Sequence, residues 1–114
     1  MPKESVIRRK VIDILEKEYW ITWYPGKVRY KQNDVFGVID LLAAKKKQRK
    51  NIQITTTANL SVRRKKIKDF LKQSKIEMII EIWAWNSSKR IFKIEKVGPL
   101  STTKNGLTKT LKPV

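Results

Sequence analysis

FGVIDLLAAKKKQRKNIQITTT, residues 36–57, is the stretch that decides the fold of this chain. Two apolar runs flank a short, lysine-rich connector, a pattern that predicts a β-hairpin with one strand deep in a core. One polar residue interrupts each run, Asp40 in the first and Gln53 in the second. If the chain turns near residues 45–50, these two side chains lie close together on neighbouring strands.

Asp40 is the residue in this stretch that most needs an explanation. A carboxylate inside an apolar strand is costly to bury unless it is paired, hydrogen-bonded or bound to a metal. Two interpretations are open at this point. Asp40 is either a structural ion-pair partner of a core lysine or arginine, or a functional carboxylate.

The charge balance of the chain points to a polyanionic partner. Its 114 residues predict one domain, and a hydrophobic content of 40% is enough for a modest core. The chain has 27 Lys+Arg against 10 Asp+Glu, a formal net charge of +17. Nucleic acid is the leading partner for such a charge. An anionic membrane surface fits less well, because no long helix combines a basic face with a clean apolar one.

The absence of cysteine and histidine limits the available chemistry. It excludes disulfides, thiolate or histidine metal sites and histidine-based catalysis. Carboxylates, amides, hydroxyls and lysines remain, and this set suits hard cations such as Mg²⁺. With no apolar segment of transmembrane length and no signal-peptide core at the N-terminus, we expect an intracellular, cytoplasmic protein.

Hydrophobic periodicity predicts an α/β domain whose elements follow the order helix, three strands, helix, two strands. The elements are expected at residues 3–18, 19–24, 36–44, 51–57, 60–74, 76–85 and 90–97. The first three strands should form an antiparallel meander, and the second helix should cross over and return the next strand to the sheet. The last strand is expected at the sheet edge, and residues 98–114 as a flexible basic tail.

Two basic segments are candidates for contacts with phosphates. Cations crowd the first half of the second helix, where the helix dipole disfavours them, so either phosphates need them or they form a solvated basic face. A second basic segment precedes Asp40. The expected nucleic-acid contacts are Lys27, Arg29, Lys31, Arg63, Arg64, Lys65 and Lys66.

The order helix-β-β-β-helix-β, with Asp40 and Gln53 on neighbouring strands, resembles the core of the PD-(D/E)xK nuclease superfamily. This superfamily includes restriction endonucleases and archaeal Holliday junction resolvases. Its signature is an Asp entering the second strand and a Glu or Gln, one residue, then a Lys on the third. Asp40 and Gln53 match this signature, and Thr55 stands where the motif has Lys.

Four segments look like those of short phage and prokaryotic nuclease-like proteins with a Gln-x-Thr motif. Residues 34–43 resemble their Asp-x-Phe-Gly-x-x-Asp-Leu-Leu-Ala segment, and residues 52–56 resemble their Gln-Val-Thr strand. Residues 63–67 resemble their Arg-x-x-Lys-Ile helix start, and residues 83–85 resemble their Trp-containing strand. Four pieces in the right order are more specific than any one of them.

The resemblance implies a restriction-endonuclease-like core over residues 1–97 and metal-dependent cleavage of DNA. The resemblance to Holliday junction resolvases adds an expected selectivity for branched structures. Asp40 and Gln53 would hold Mg²⁺ or Mn²⁺ with the Ile54 carbonyl. Asp34 or Glu4 would be a further acidic ligand, although Asp34 also suits a turn and Glu4 also suits the dipole at a helix start.

Lys66, or alternatively Arg63, would replace the missing motif lysine, so the implied catalytic set is Asp40, Gln53, Thr55 and Lys66. Resolvases of this superfamily act as dimers, and the edge at Arg90–Val97 with Trp83-Ala84-Trp85 is the expected interface. The tryptophans also suit core packing. Two other functions stay open, a non-catalytic nucleic-acid-binding module and a ribosome-associated basic protein.

Overall fold

The computed structural model describes residues 4–24 and 38–98 and, for the backbone alone, residues 108–111. Over these residues the chain forms a mixed α/β fold of two helices and one six-stranded sheet. The elements are α1 (Glu4–Lys17), β1 (Ile21–Trp23), β2 (Leu41–Lys45), β3 (Gln48–Thr56), α2 (Leu60–Ser74), β4 (Ile80–Asn86), β5 (Ile91–Val97) and β6 (Thr108–Leu111). A short 3₁₀ turn, Thr57–Asn59, links β3 to α2.

The sheet confirms the predicted meander and crossover. Strands β1, β2 and β3 pair antiparallel in sequence, and β4 lies parallel to β3 because α2 carries the chain back across the sheet. Strand β5 then pairs antiparallel with β4. The spatial order is β1-β2-β3-β4-β5-β6.

The far edge of the sheet differs from the prediction. Strand β5 does not lie at the edge, because β6 pairs antiparallel with it. Thr108–Leu111 falls inside the segment predicted to be a flexible tail. Its threonines favour extended backbone, and an exposed strand edge offers unpaired backbone groups for an added strand.

Each helix covers one face of the sheet, and strand alternation divides the core into two clusters. Trp83, Trp85 and Phe92 pack with the buried side of α1, and Ile82 and Ala84 pack with the buried side of α2. We refer to these two surfaces as the α1 face and the α2 face. The ring of Phe92 lies 5.5 Å from Trp83 and 4.8 Å from Trp85, edge-on or tilted, which is the favoured geometry for aromatic pairs.

Helix α1 ends in a Schellman motif that fixes where β1 begins. The amide of Trp20 donates to the carbonyl of Leu15, and the amide of Tyr19 donates to that of Glu16. Trp20 and Leu15 are both buried in the α1-face cluster, in keeping with the hydrophobic pairing that accompanies this motif. Tyr19 takes the left-handed position, with φ of 67°, where glycine is usual.

Candidate functional site

Asp40 lies directly before β2 and is held by the third strand. Its amide donates to the carbonyl of Ile52 at 2.8 Å. Its carboxylate oxygen Oδ2 accepts from the amide of Ile54 at 2.8 Å and from Nε2 of Gln53 at 2.5 Å. The carboxylate therefore satisfies a strand amide, and the structure brings together the two polar residues that interrupt the apolar runs.

In this arrangement the side-chain amide of Gln53 is hydrogen-bonded through its nitrogen and, in the part of the chain that the structure describes, not through its oxygen. The side chain is 2% exposed, and Nε2 also lies 3.5 Å from the carbonyl oxygen of Ile54. Its oxygen Oε1 is buried and has no hydrogen-bond partner among the residues described. A buried acceptor without a donor costs about 1–3 kcal/mol, so this oxygen calls for an explanation, and a bound ion is one of those available.

The three groups at this point can present oxygens to one centre. A half-turn of the Gln53 amide exchanges its nitrogen and oxygen and brings Oε1 towards the Asp40 carboxylate and the Ile54 carbonyl. Oxygens of these kinds are the ligands that Mg²⁺ and Mn²⁺ prefer. The chemical types of the three ligands, one carboxylate, one amide oxygen and one backbone carbonyl, therefore suit such a cation. Within residues 4–24 and 38–98 no group of three or more acidic, histidine or cysteine side chains forms a metal cluster.

The pair lies on the α2 face, at the end of the sheet where α2 begins. Gln53 is opposite Ile82 of β4, which packs under α2, and Thr55 follows on the same side of β3. Thr55 is buried two residues further along β3. Both residues therefore lie in the layer between β3 and α2.

Helix geometry places Lys66 and Arg63 on the flank of α2 nearer to Asp40. Ile67 is fully buried under the helix, and Arg64 reaches Glu95 on β5. Since each residue turns the helix by about 100°, Arg63 and Lys66 lie on the opposite flank from Arg64, towards β3 and β2. Lys66 lies six residues into α2, at a rise of about 1.5 Å per residue, and Gln53 lies three residues before the end of β3, at about 3.3 Å per residue. Both distances are about 10 Å, so Lys66 is nearly level with Gln53.

Arg64 and Lys65 have other partners in the structure. The Arg64 guanidinium donates from Nε and Nη2 to the two oxygens of the Glu95 carboxylate, at 2.5 and 2.9 Å. Hydrogen bonding to Glu95 raises the pKa of Arg64 above its ordinary value. Glu95 is buried and needs this counter-charge. Lys65 lies 3.6 Å from Asp69 in an exposed pair. Arg64 therefore has a structural role, and Arg63 and Lys66 are the better candidates for phosphate contacts.

Glu4, a further predicted acidic ligand, lies away from the Asp40–Gln53 pair. Glu4 begins α1, is exposed and belongs to the helix on the opposite face from Gln53. Its position in the first turn suits the helix dipole. Asp34 and the basic residues Lys27, Arg29 and Lys31 lie outside the described residues.

The predicted dimer surface is corrected by the structure. Trp83, Ala84 and Trp85 are buried inside β4, and β5 is flanked by β4 and β6. They belong to the core because β4 is an inner strand, covered by a helix on each face. The segment therefore cannot form an interface without unfolding the sheet.

Sequence reasoning missed two exposed features. One is the apolar stretch Tyr19–Tyr24, in which Tyr19, Ile21, Trp23 and Tyr24 are all exposed. The other is the β2–β3 hairpin, where five of the six residues 45–50 are cations. Its turn places Lys46 at φ of 53°. The charge of this connector is visible in the sequence, but there it indicates only a polar link between two strands.

No protein-family model matches this chain, and no curated protein matches it. No described helix has the length and apolarity that crossing a membrane requires.

Proposed function

We propose that this protein is a metal-dependent DNA endonuclease with a PD-(D/E)xK-like site, acting inside the cell on branched DNA as Holliday junction resolvases do. One observation carries the proposal. Asp40 and Gln53 meet at 2.5 Å on neighbouring strands, beside the Ile54 carbonyl, with a buried amide oxygen that no described donor satisfies.

The positions of these residues in the fold support the same proposal. Asp40 enters the second strand, and Gln53 and Thr55 lie on the third, as the PD-(D/E)xK signature requires. The chain order of a helix, three strands, a second helix and a further strand supports a likeness to that superfamily, and β5 and β6 extend the sheet beyond it. A restriction-endonuclease-like core is therefore part of the proposal.

Each residue has a defined part in the proposed reaction. Asp40, the Gln53 oxygen and the Ile54 carbonyl would hold Mg²⁺ or Mn²⁺. Such a cation, when bound, activates water and neutralises charge on the phosphate. Lys66 or Arg63 steadies the anionic phosphate, which is the work of the missing motif lysine. Thr55, buried two residues from Gln53 on the same strand, would limit the freedom of the Gln53 side chain.

Asp40→Asn tests the proposal with little risk to the fold. The introduced amide keeps an oxygen for the Ile54 amide, and its nitrogen can donate to Oε1 of Gln53 after the half-turn. The assay measures cleavage of branched, flapped and linear DNA with Mg²⁺ or Mn²⁺. We expect a loss of cleavage of at least about 100-fold with DNA affinity retained, because removing a principal ligand removes the cation's contribution.

Asp13→Asn is the matched control, since Asp13 is an exposed carboxylate on α1 that pairs, within the described part of the chain, with Arg9. It should cleave as the parent protein does. Cleavage that is equal in the parent and in Asp40→Asn would contradict the proposal.

The second candidate function is nucleic-acid binding without catalysis. Thr55 occupies the position of the motif lysine, and among the described residues Asp40 is the carboxylate that contacts Gln53. This function predicts binding that weakens steeply with salt, because each phosphate contact releases counterions. It also predicts no cleavage of any DNA by the parent protein with either cation, which the same assay measures.

A further inference from the structure

Strand β1 carries an exposed apolar surface beside the candidate site. Ile21 is 77% exposed and Trp23 is 56% exposed, although both lie in a strand of the sheet. Tyr19 and Tyr24 flank them and are exposed as well. Four of the seven exposed large hydrophobic residues in the described chain fall in this one stretch. Such a concentration marks an interaction surface.

The pairing register places this surface on the same face as Gln53. Trp23 is opposite Leu42, and Ile21 is opposite Ala44. Leu42 packs against the α2-face cluster, and directly paired residues point to the same side of a sheet. Helix α2 lies over β3, β4 and β5, so Trp23 and Ile21 remain exposed beyond its flank.

Trp23 is also near Asp40 along the sheet. Trp23 is paired with Leu42, which is two residues from Asp40 on the neighbouring strand. The Cα atoms of Trp23 and Asp40 therefore lie on the order of 8 Å apart. Arg63 and Lys66 face this region from α2, and Arg8 lies 4.3 Å from the ring centre of Tyr24. Trp23 therefore lies beside the Asp40–Gln53 pair, with the α2 cations on the same face of the sheet and Arg8 on the α1 face.

We propose that Trp23, supported by Ile21, stacks on unpaired bases of DNA whose backbone passes over Asp40. This inference rests on the proposed function and names its substrate class, DNA with unpaired nucleotides next to the bond that is cut. Every base has a π-face, and aromatic residues in positively charged grooves bind single strands in this way. A second copy of the chain fits the surface less well, because each copy carries a net charge of +17.

Tryptophan fluorescence tests the inference directly. The chain has four tryptophans, and Trp20, Trp83 and Trp85 are at most 8% exposed. Trp23 is therefore the tryptophan that a stacked base can quench. The probe is an oligothymidylate, titrated in the presence of a chelator so that cleavage plays no part. We expect quenching, and Trp23→Leu should weaken oligothymidylate binding by roughly 5- to 100-fold, measured by anisotropy.

Trp23→Phe keeps an aromatic ring and should retain most of the affinity. Val62→Ala is the control variant, since Val62 is an exposed apolar residue on α2, and it should bind as the parent does. Affinity for blunt duplex DNA should change less than twofold in all three variants, because a duplex offers stacked bases. Equal losses for single-stranded and duplex DNA, or no loss in Trp23→Leu, would overturn the inference.

Two further outcomes separate this inference from others. Light scattering that shows a dimer in the parent and a monomer in Trp23→Leu, without a change in oligothymidylate affinity, would assign the surface to a second copy and overturn the inference. Failure of the proposed endonuclease activity would appear as absent cleavage with the stacking signal intact. The binding assay contains no divalent cation, so the two failures are distinguishable.

Discussion

Gln53→Glu is the substitution that most sharply tests whether the Asp40–Gln53 pair is built for a cation. It exchanges the amide for a carboxylate of nearly the same shape at a side chain that is 2% exposed. The new group would face Asp40 Oδ2 at the distance where Nε2 now donates, 2.5 Å. Two carboxylates so close cannot both be ionised without a cation, so one of them must hold a proton.

The magnitude follows from that proton. A protonated carboxyl donates to Asp40 as the amide does, so the main cost is holding the proton at pH 7. With an ordinary glutamate pKa of about 4.3, that cost is about 3.7 kcal/mol. A loss of this size lowers the melting temperature by about 15 °C in a domain of this length.

The sign of the pH dependence is fixed by the same argument. The pKa of the introduced glutamate is raised in the folded state, so its stability deficit is absent below about pH 4.3 and grows by about 1.4 kcal/mol per pH unit above it. Variant and parent should therefore have similar melting temperatures near pH 4 and diverge towards pH 7.

A divalent cation should reverse the deficit. At a concentration 100 times its dissociation constant, a cation that binds only the folded state contributes about 2.7 kcal/mol. We expect Mn²⁺ or Mg²⁺ to raise the melting temperature of Gln53→Glu by about 10 °C at pH 7, and that of the parent by less, because the parent site has one formal negative charge fewer.

The measurement is thermal unfolding followed by circular dichroism, with chelator or cation, at pH 4 and pH 7. Gln48→Glu is the matched control on the same strand, at an exposed position, and should show neither the deficit nor the rescue. A deficit at pH 7 that no divalent cation repairs would refute the idea that these oxygens form a cation site.

Three further predictions concern stability and binding. Tyr19→Gly should raise the free energy of unfolding by about 1 kcal/mol, seen in urea titration, since Tyr19 holds a left-handed position. Arg64→Ala should lower it by about 2 kcal/mol, because Glu95 stays buried without its partner, and Arg63→Ala should change it by less than about 0.5 kcal/mol. Equal effects in the two arginine variants would contradict the assigned roles. Lys66→Ala should reduce the slope of log affinity for duplex DNA against log salt by about 0.9; an unchanged slope would remove Lys66 from the interface.

The Asp40–Gln53 contact could be predicted because burial leaves few options for polar groups. An aspartate and a glutamine each interrupt an apolar run, and a hairpin turn between the runs brings them opposite each other. The meander and the crossover followed from the same periodicity. Local pattern was sufficient wherever neighbouring segments in the sequence are also neighbours in the sheet.

Arg64 shows where local pattern was insufficient. In the sequence it is one of several cations at a helix start, and nothing local distinguishes it from Arg63. Its partner, Glu95, lies 31 residues away on β5, and only the packing of α2 across the sheet brings them together. Strand β6 is a similar case, because a short polar segment becomes a strand where an edge is available.

Strand β1 shows why exposure is harder to predict than secondary structure. Residues 19–24 were predicted to be a strand from their β-forming side chains, and the structure places β1 at 21–23. Whether those side chains are buried depends on which helix lies over them, and α2 is tied to β3 and β4 by the crossover. The outer strand of the meander therefore keeps one face exposed. An exposed tryptophan at that face lowers solubility. Because cations of α2 face the same side of the sheet, an unpaired base of a nucleic acid is the partner that best covers this tryptophan.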